Sequence, residues 1–420
     1  MSYRSYCLLV LTVIYTFNQV DREIISIILE PLKNELSLSD TQLGFVTGMA
    51  FAFFYATMGI PIAMLADRFS RRNILAAAMF IWSIMTALCG LAGSFLQLVT
   101  ARFGVAVGEA AGAPASISMI SDLFSMKQRS TAMAVFAIGI SAGVIIAYPL
   151  GGWLADNVGW RYAFFVAASP SVFLILLLLL TVKEPRRSSE TASSDEGAPK
   201  IGEVIKFMWS QKSLRHVYIG YSLLSLYAYG VVVWFPSFVV RSHGESLTQI
   251  GFMFAFIFGF LGIIFTYFGG VVTDRLASHD LRWNVWVITV GLLVTLPGCI
   301  LTFTSDSSIN MYWWSAFISL AIIFYFGPLF SLAASLVQNR MRAVATALLL
   351  FVSNMLGGGI GPQLIGFGSD MLSVSYGSDS LRIMLAASSI FALWAALHFF
   401  LASRTLVADY ERVNVKNIRP

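Results

Sequence analysis

The sequence predicts an all-α membrane protein of twelve transmembrane helices, arranged as two pseudo-symmetric six-helix halves. Three observations predict it: a composition poor in charge, a ladder of twelve apolar runs, and a repeat between the halves. Of 420 residues, 57% are hydrophobic and 12% charged, against about 25% charged in a soluble domain. So little charge cannot cover a water-facing surface. A lipid-facing surface needs none, and runs of about 20 apolar residues cross the hydrocarbon core as helices.

The runs follow in order. Span one, about 6–29, is apolar up to Val20. Span two, about 41–64, ends at the charged loop "ADRFSRRN", and span three, about 73–93, runs from there to Gly93. Span four, about 95–119, contains "RFGVAVGEAAGAP". Span five, about 129–152, runs from Arg129 to Gly152, and the leucine-rich span six covers about 161–182. The second half repeats the count at about 214–240, 247–271, 284–304, 311–338, 343–367 and 383–403. The apolar opening lacks a small-x-small cleavage site, so it reads as a retained helix.

Four segments result: an N-terminal half over 1–182, a linker over 183–213, a C-terminal half over 214–403 and a tail over 404–420. The linker is polar and rich in Ser and Pro. Of the 27 Lys and Arg, 21 fall in the termini and even-numbered loops, 4 in the odd-numbered loops and 2 within spans. Basic loops stay inside, so both termini are expected in the cytoplasm, with the chain in the inner (plasma) membrane.

The halves repeat in detail. "RSTAMAVFAIGISAGVIIAYPLGG" and "RAVATALLLFVSNMLGGGIGPQLIG" each place a proline twenty residues after an arginine, at Pro149 and Pro362. "AMLADRFSRR" closes span two and "GVVTDRLASHD" closes span eight. Repeated six-helix halves are what alternating-access transporters are built from.

The loop after span two supplies gate candidates. Positive-inside bias explains its arginines but not Asp67, nor the second copy at Asp274 and Arg275. A carboxylate there can accept from a facing helix N-terminus and pair with an arginine. Asp67, Arg68, Arg71, Asp274 and Arg275 are therefore the expected cytoplasmic gate. The pattern resembles the signature loop of the major facilitator superfamily, with Ala63 and Ser70 at its two glycine positions and Gly270 kept in the second copy. Within that superfamily, "NQVDREIIS", "MLADRFSRR", "ARFGVAVGEAAGAP" and "ISDLFSMKQRS" resemble the Spinster family of lipid transporters. The resemblance implies a proton-coupled carrier of lysophospholipids or sphingosine 1-phosphate-like lipids. The alternative is the same mechanism with another organic anion or drug-like amphiphile.

Charges inside spans are costly and need partners. Only Asp21, Arg22, Glu23, Arg102 and Glu109 lie there. Asp21 stands about 21 Å up span one from Cys7 and Arg102 about 10 Å down span four from Phe95, at 1.5 Å per residue. In a core of about 30 Å these depths coincide. An Asp21–Arg102 pair is expected, with Asp21 titrating and Arg102 holding an anionic headgroup. The alternative is a salt bridge that only fixes packing, a poor stabiliser once desolvation is counted. Arg22 and Glu109 complete the charged wall, and Glu23 is expected near the surface. Gly104, Gly108 and Gly112 form a small-residue stripe on the opposite face of span four.

The second half has no charges in its span interiors but many aromatics, suited to an oily wall. Tyr227, Tyr229, Trp234 and Asn354 are its candidate substrate contacts.

"GISAG", from Gly139 to Gly143, matches a nucleophile elbow but lies in a membrane helix, where that motif does not operate. The cysteines (Cys7, Cys89, Cys299) and histidines (His216, His243, His279, His398) have no ligand spacing. No enzyme, metal or cofactor is expected. The expected partners are a small amphiphilic substrate, protons and the bilayer, with no nucleic acid, for a monomeric chain.

Overall fold

The computed structural model describes residues 2–185 and 199–418. Residues 186–198 of the predicted linker lie outside the described residues, as do the side chains of Ala63 and Asp67. The described residues form helices and connecting turns, with no strand among them.

Twelve helical rods follow the predicted order. They are Tyr3–Ile27, 40–68, Arg71–Leu91, Phe95–Leu123, Met126–Asn157 and Trp160–Thr181, then Lys212–His243, Leu247–Ala277, Trp283–Thr304, Ser308–Ser335, 342–376 and Ser380–Ile418. A short helix, Ile201–Ser210, precedes span seven. With the orientation expected from the basic loops, the inner ends are those from which the odd-numbered spans start.

The helices begin where the sequence can satisfy their free N–H groups. Ser2, Ser70, Ser94 and Ser307 accept from backbone nitrogens of the first turn of spans one, three, four and ten. Spans two and eight, equivalent in the two halves, both open with a full capping box, Ser39 with Gln42 and Ser246 with Gln249. Both then pass through a π-helical stretch, Phe45–Met49 and Ala255–Phe260. Equivalent irregularities at equivalent spans are the internal repeat made visible.

The chain divides into two compact units. One comprises Met1–Ser189 with Val233–Phe260, so the first six spans hold the outer ends of spans seven and eight. The other comprises Glu190–Val232 with Leu261–Pro420.

In the first unit glycines allow backbones to touch. A Cβ on Gly108 would come within 2.7 Å of the Trp82 nitrogen of span three. On span five, a Cβ on Gly139 would meet the Thr12 carbonyl at 3.2 Å, and one on Gly143 the Thr16 carbonyl at 3.2 Å. The "GISAG" motif is thus a packing face for span one. Farther out, Gly152 of span five abuts the Leu247 carbonyl, and Gly251 of span eight abuts that of Tyr148. Asp156 caps this junction, accepting from Thr248 N and Oγ1, both at 2.7 Å.

Candidate functional site

Span one carries Asp21, Arg22 and Glu23 on three directions about 100° apart, and each finds a different environment. Arg22 donates from Nε and Nη2 to Glu109 Oε2 of span four, at 3.1 and 3.0 Å. Its guanidinium lies 4.8 Å from the Phe51 ring centroid and 4.6 Å from that of Tyr55, both on span two. Arg102 is also on Phe51, at 5.0 Å. One aromatic ring thus sits within cation–π reach of both guanidiniums, the half-buried Arg22 and the buried Arg102.

The expected Asp21–Arg102 ion pair is not formed. Among the described residues no cation lies within salt-bridge distance of Asp21, and neither carboxylate oxygen has a hydrogen-bond partner. The depth argument placed the two residues in one cluster, but helical rotation directs Arg22 rather than Asp21 at the acid of span four. Asp21, Arg102 and Glu109 are 1%, 2% and 1% exposed. Thr86 of span three is beside the Asp21 carboxylate but completes no hydrogen bond to it. Glu23 is not near the surface as expected: it is half-buried, and the Tyr148 hydroxyl of span five donates to it at 3.1 Å. Tyr148 in turn stacks on Phe254 of span eight, with centroids 3.8 Å apart.

The cluster therefore holds three carboxyls and two guanidiniums. Glu109 has Arg22, and Glu23 has Tyr148. Asp21 is the carboxyl left over, and one proton on it makes the formal charges balance.

The gate candidates fall apart differently. Arg71 is 3% exposed and locked within the first unit. It donates to Asp122, to Ser118 at 2.9 Å, to Glu184 at 2.8 Å and to the Pro185 carbonyl at 2.9 Å. Burial raises the Glu184 carboxyl, but hydrogen bonds from the Arg72 backbone, Arg71 and Ser70 outweigh it and hold the group below its ordinary value. Arg68, Asp274 and Arg275 are exposed, and the side chain of Asp67 is outside the described residues.

Of the aromatic candidates, Tyr227 is fully buried, its hydroxyl toward Cys299 and Ser389 of spans nine and twelve. Trp234 is fully buried in the first unit, 5.9 Å from the Arg241 guanidinium. Neither lies on an open wall. Tyr229 is 40% exposed and covers Gly357 and Gly358 of span eleven. The Asn354 amide donates to the Leu350 carbonyl at 2.9 Å.

Sequence reasoning missed an outer ion cluster. Arg241 at the end of span seven donates from Nε to Glu30 at 2.8 Å, and from Nη1 and Nη2 to Asp40, both at 2.7 Å. Lys33 also pairs with Asp40. The signal was present. The four basic residues in odd-numbered loops defy the positive-inside bias, and each has an acidic partner: Lys33 and Arg241 here, Arg161 with Glu35, Arg382 with Asp306. Among the described residues no cluster of metal-binding side chains occurs.

Comparison with known proteins agrees with this architecture. Residues 11–362 match the Major Facilitator Superfamily. An MFS-type efflux pump of Mycolicibacterium smegmatis is 34% identical over 87% of this chain and 84% of its own length. A probable galactarate/D-glucarate transporter of Bacillus subtilis is 28% identical over 66% of each chain. The crystal structure of a bacterial homolog to the human lysosomal transporter Spinster, inward-facing and unoccupied, superposes with a TM-score of 0.88. It is 29% identical and covers 97% of this chain and 98% of the other. Twelve spans in two repeated halves, matched over most of their length to transporters, leave one assignment: the chain belongs to the major facilitator superfamily of multi-pass membrane transporters.

Proposed function

We propose that the chain is a proton-coupled secondary transporter of an anionic amphiphile, with Asp21 as the proton-carrying group. The observation that carries this reading is the charge balance of the buried cluster. Asp21 is the carboxyl without a hydrogen-bonding or ionic partner, and a buried charge without one is costly in a membrane. A proton relieves that cost. Arg102, which has no acidic partner within salt-bridge distance, is then free to hold an anionic headgroup. Arg22 and Glu109 hold each other until substrate competes for the guanidinium. The aromatic content of spans seven, eight and ten suits an acyl chain, which favours a lysophospholipid or sphingosine 1-phosphate-like cargo.

A compact organic anion is the second reading, favoured by the likeness to the galactarate/D-glucarate transporter. Both readings use alternating access by a monomer in the inner membrane with cytoplasmic termini. Asp67, Arg68, Asp274 and Arg275 act at the inner gate, while Arg71 braces it. Uptake into proteoliposomes of labelled lysolipids and of a hexarate, with and without a pH gradient, tests both. Lysolipid uptake that rises with the gradient supports the first reading. Hexarate uptake alone moves the assignment to the second, and indifference to the gradient removes proton coupling.

A further inference from the structure

Between Asn73 and Leu91 span three has no charged residue, yet it buries Trp82, Ser83 and Thr86 at 1%, 8% and 1% exposure. Trp82 Nε1, Ser83 Oγ and Thr86 Oγ1 all lack a protein hydrogen-bond partner. So do Asn18 Nδ2, both Asp21 carboxylate oxygens and Arg102 Nε. A buried hydroxyl on a membrane helix ordinarily bonds back to its own helix. Thr12, Thr16, Thr289 and Thr302 do this at 2.8–3.0 Å. Ser83 and Thr86 do not, so their hydroxyls are reserved for something else.

The orphaned groups are contiguous. Trp82 and Thr86 are one turn apart on one face of span three, with Ser83 beside them. Asn18 and the six-membered ring of Trp82 both flank Gly112 of span four, where a Cβ would lie 3.7 Å from Asn18 Nδ2 and 3.8 Å from Trp82 Cζ3. One turn outward, about 5.4 Å along both helices, Thr86 meets Asp21. Native proteins leave few buried polar groups unsatisfied, and a polar site closed to solvent is met by ordered water making about three hydrogen bonds.

We propose that Trp82, Ser83 and Thr86 line a file of bound water that carries protons to and from Asp21. A hydronium at one end releases a proton into the file, an Asp21 oxygen accepts a proton from the last water, and the waters are unchanged. Release reverses these steps. The charged and titratable groups facing Asp21 are Arg102 and Glu109 of span four and Cys89 of span three, while its chain neighbours Arg22 and Glu23 point away from it. The two arginines discourage metal cations from the same route. The inference deepens the proton-coupled reading and rests on it for its direction.

Hydroxyl-radical footprinting of the full chain in lipid nanodiscs tests the water directly, because a radical made from bound water oxidises the indole beside it. Trp234, fully buried among protein groups, is the internal standard. Trp82 is expected to be oxidised about tenfold or more faster than Trp234, as befits an indole with water as its neighbour. Thr86→Val should bring the rate down, and Thr86→Ser should keep it. Trp82 protected as well as Trp234 overturns the water file. In proteoliposomes, Thr86→Val should slow gradient-driven uptake and enlarge its solvent isotope effect without weakening substrate binding, with Thr86→Ser restoring both. A hydrated Trp82 with unaltered uptake in Thr86→Val overturns the proton role alone. Wild-type uptake indifferent to the gradient overturns coupling itself, whatever the footprint shows.

Discussion

Removing Arg22 separates stability from transport in a way that a packing salt bridge does not. In Arg22→Ala the Glu109 carboxylate, whose side chain is 0% exposed, loses both hydrogen bonds that it receives from Arg22. Breaking one side of a buried pair costs about 3–5 kcal/mol. The field of Arg102 still reaches Glu109, so the lower end, about 3 kcal/mol, is expected, a shift of roughly 150-fold in the unfolding equilibrium. The double variant Arg22→Met with Glu109→Leu removes both charges at similar volume. Its methionine restores contact with the Phe51 and Tyr55 rings, worth about 0.3–1.5 kcal/mol. It should unfold within about 1 kcal/mol of wild type, because a buried pair gains little over apolar packing. It should nevertheless fail to transport. Denaturation in mixed micelles measures the first quantity and proteoliposome uptake the second. A double variant as unstable as the single one refutes the energetic argument, and a double variant that transports normally refutes the functional one.

Two other substitutions probe the frame around the site. Glu184 has a depressed carboxyl, so its contribution is present above the unfolded carboxylate range and is lost as pH falls through the folded value. Wild type should melt above Glu184→Gln at neutral pH, and the gap should close as pH falls from about 4.3, the ordinary glutamate value, through the lower folded value; a gap that persists in stronger acid would refute the assignment. Gly152→Ala drives a methyl into the Leu247 carbonyl and should cost about 1–3 kcal/mol. A thermal shift indistinguishable from wild type would show that spans five and eight do not rely on that contact.

The sequence carried what lipid imposes and lost what rotation decides. Span number, order and the repeat follow from runs of apolar residues, since a bilayer allows little else. The depth of Asp21 and Arg102 followed from counting residues, and both belong to one buried cluster. Which of three consecutive side chains pairs with span four depends on a rotation of about 100° that no count resolves, so Arg22 is the one that pairs there, with Glu109, and Asp21 forms no ion pair with Arg102. Glu23 was misjudged because its partner, Tyr148, reads as one more aromatic in an apolar helix. Span three was passed over because Ser83 and Thr86 bear no charge and ordinarily satisfy themselves. The inner loop was legible as basic but not as a brace, since Arg71 depends on Asp122 and Glu184, which are distant in sequence.

The central claim is that Asp21 carries the coupled proton, and the direct measurement is proton movement during transport. With a pH-sensitive dye inside proteoliposomes, adding the transported substrate without an imposed gradient should change the internal pH for wild type. It should leave the pH unchanged for Asp21→Asn, whose folded state is checked by its melting curve. A substrate-driven pH change of wild-type size in Asp21→Asn would contradict the account.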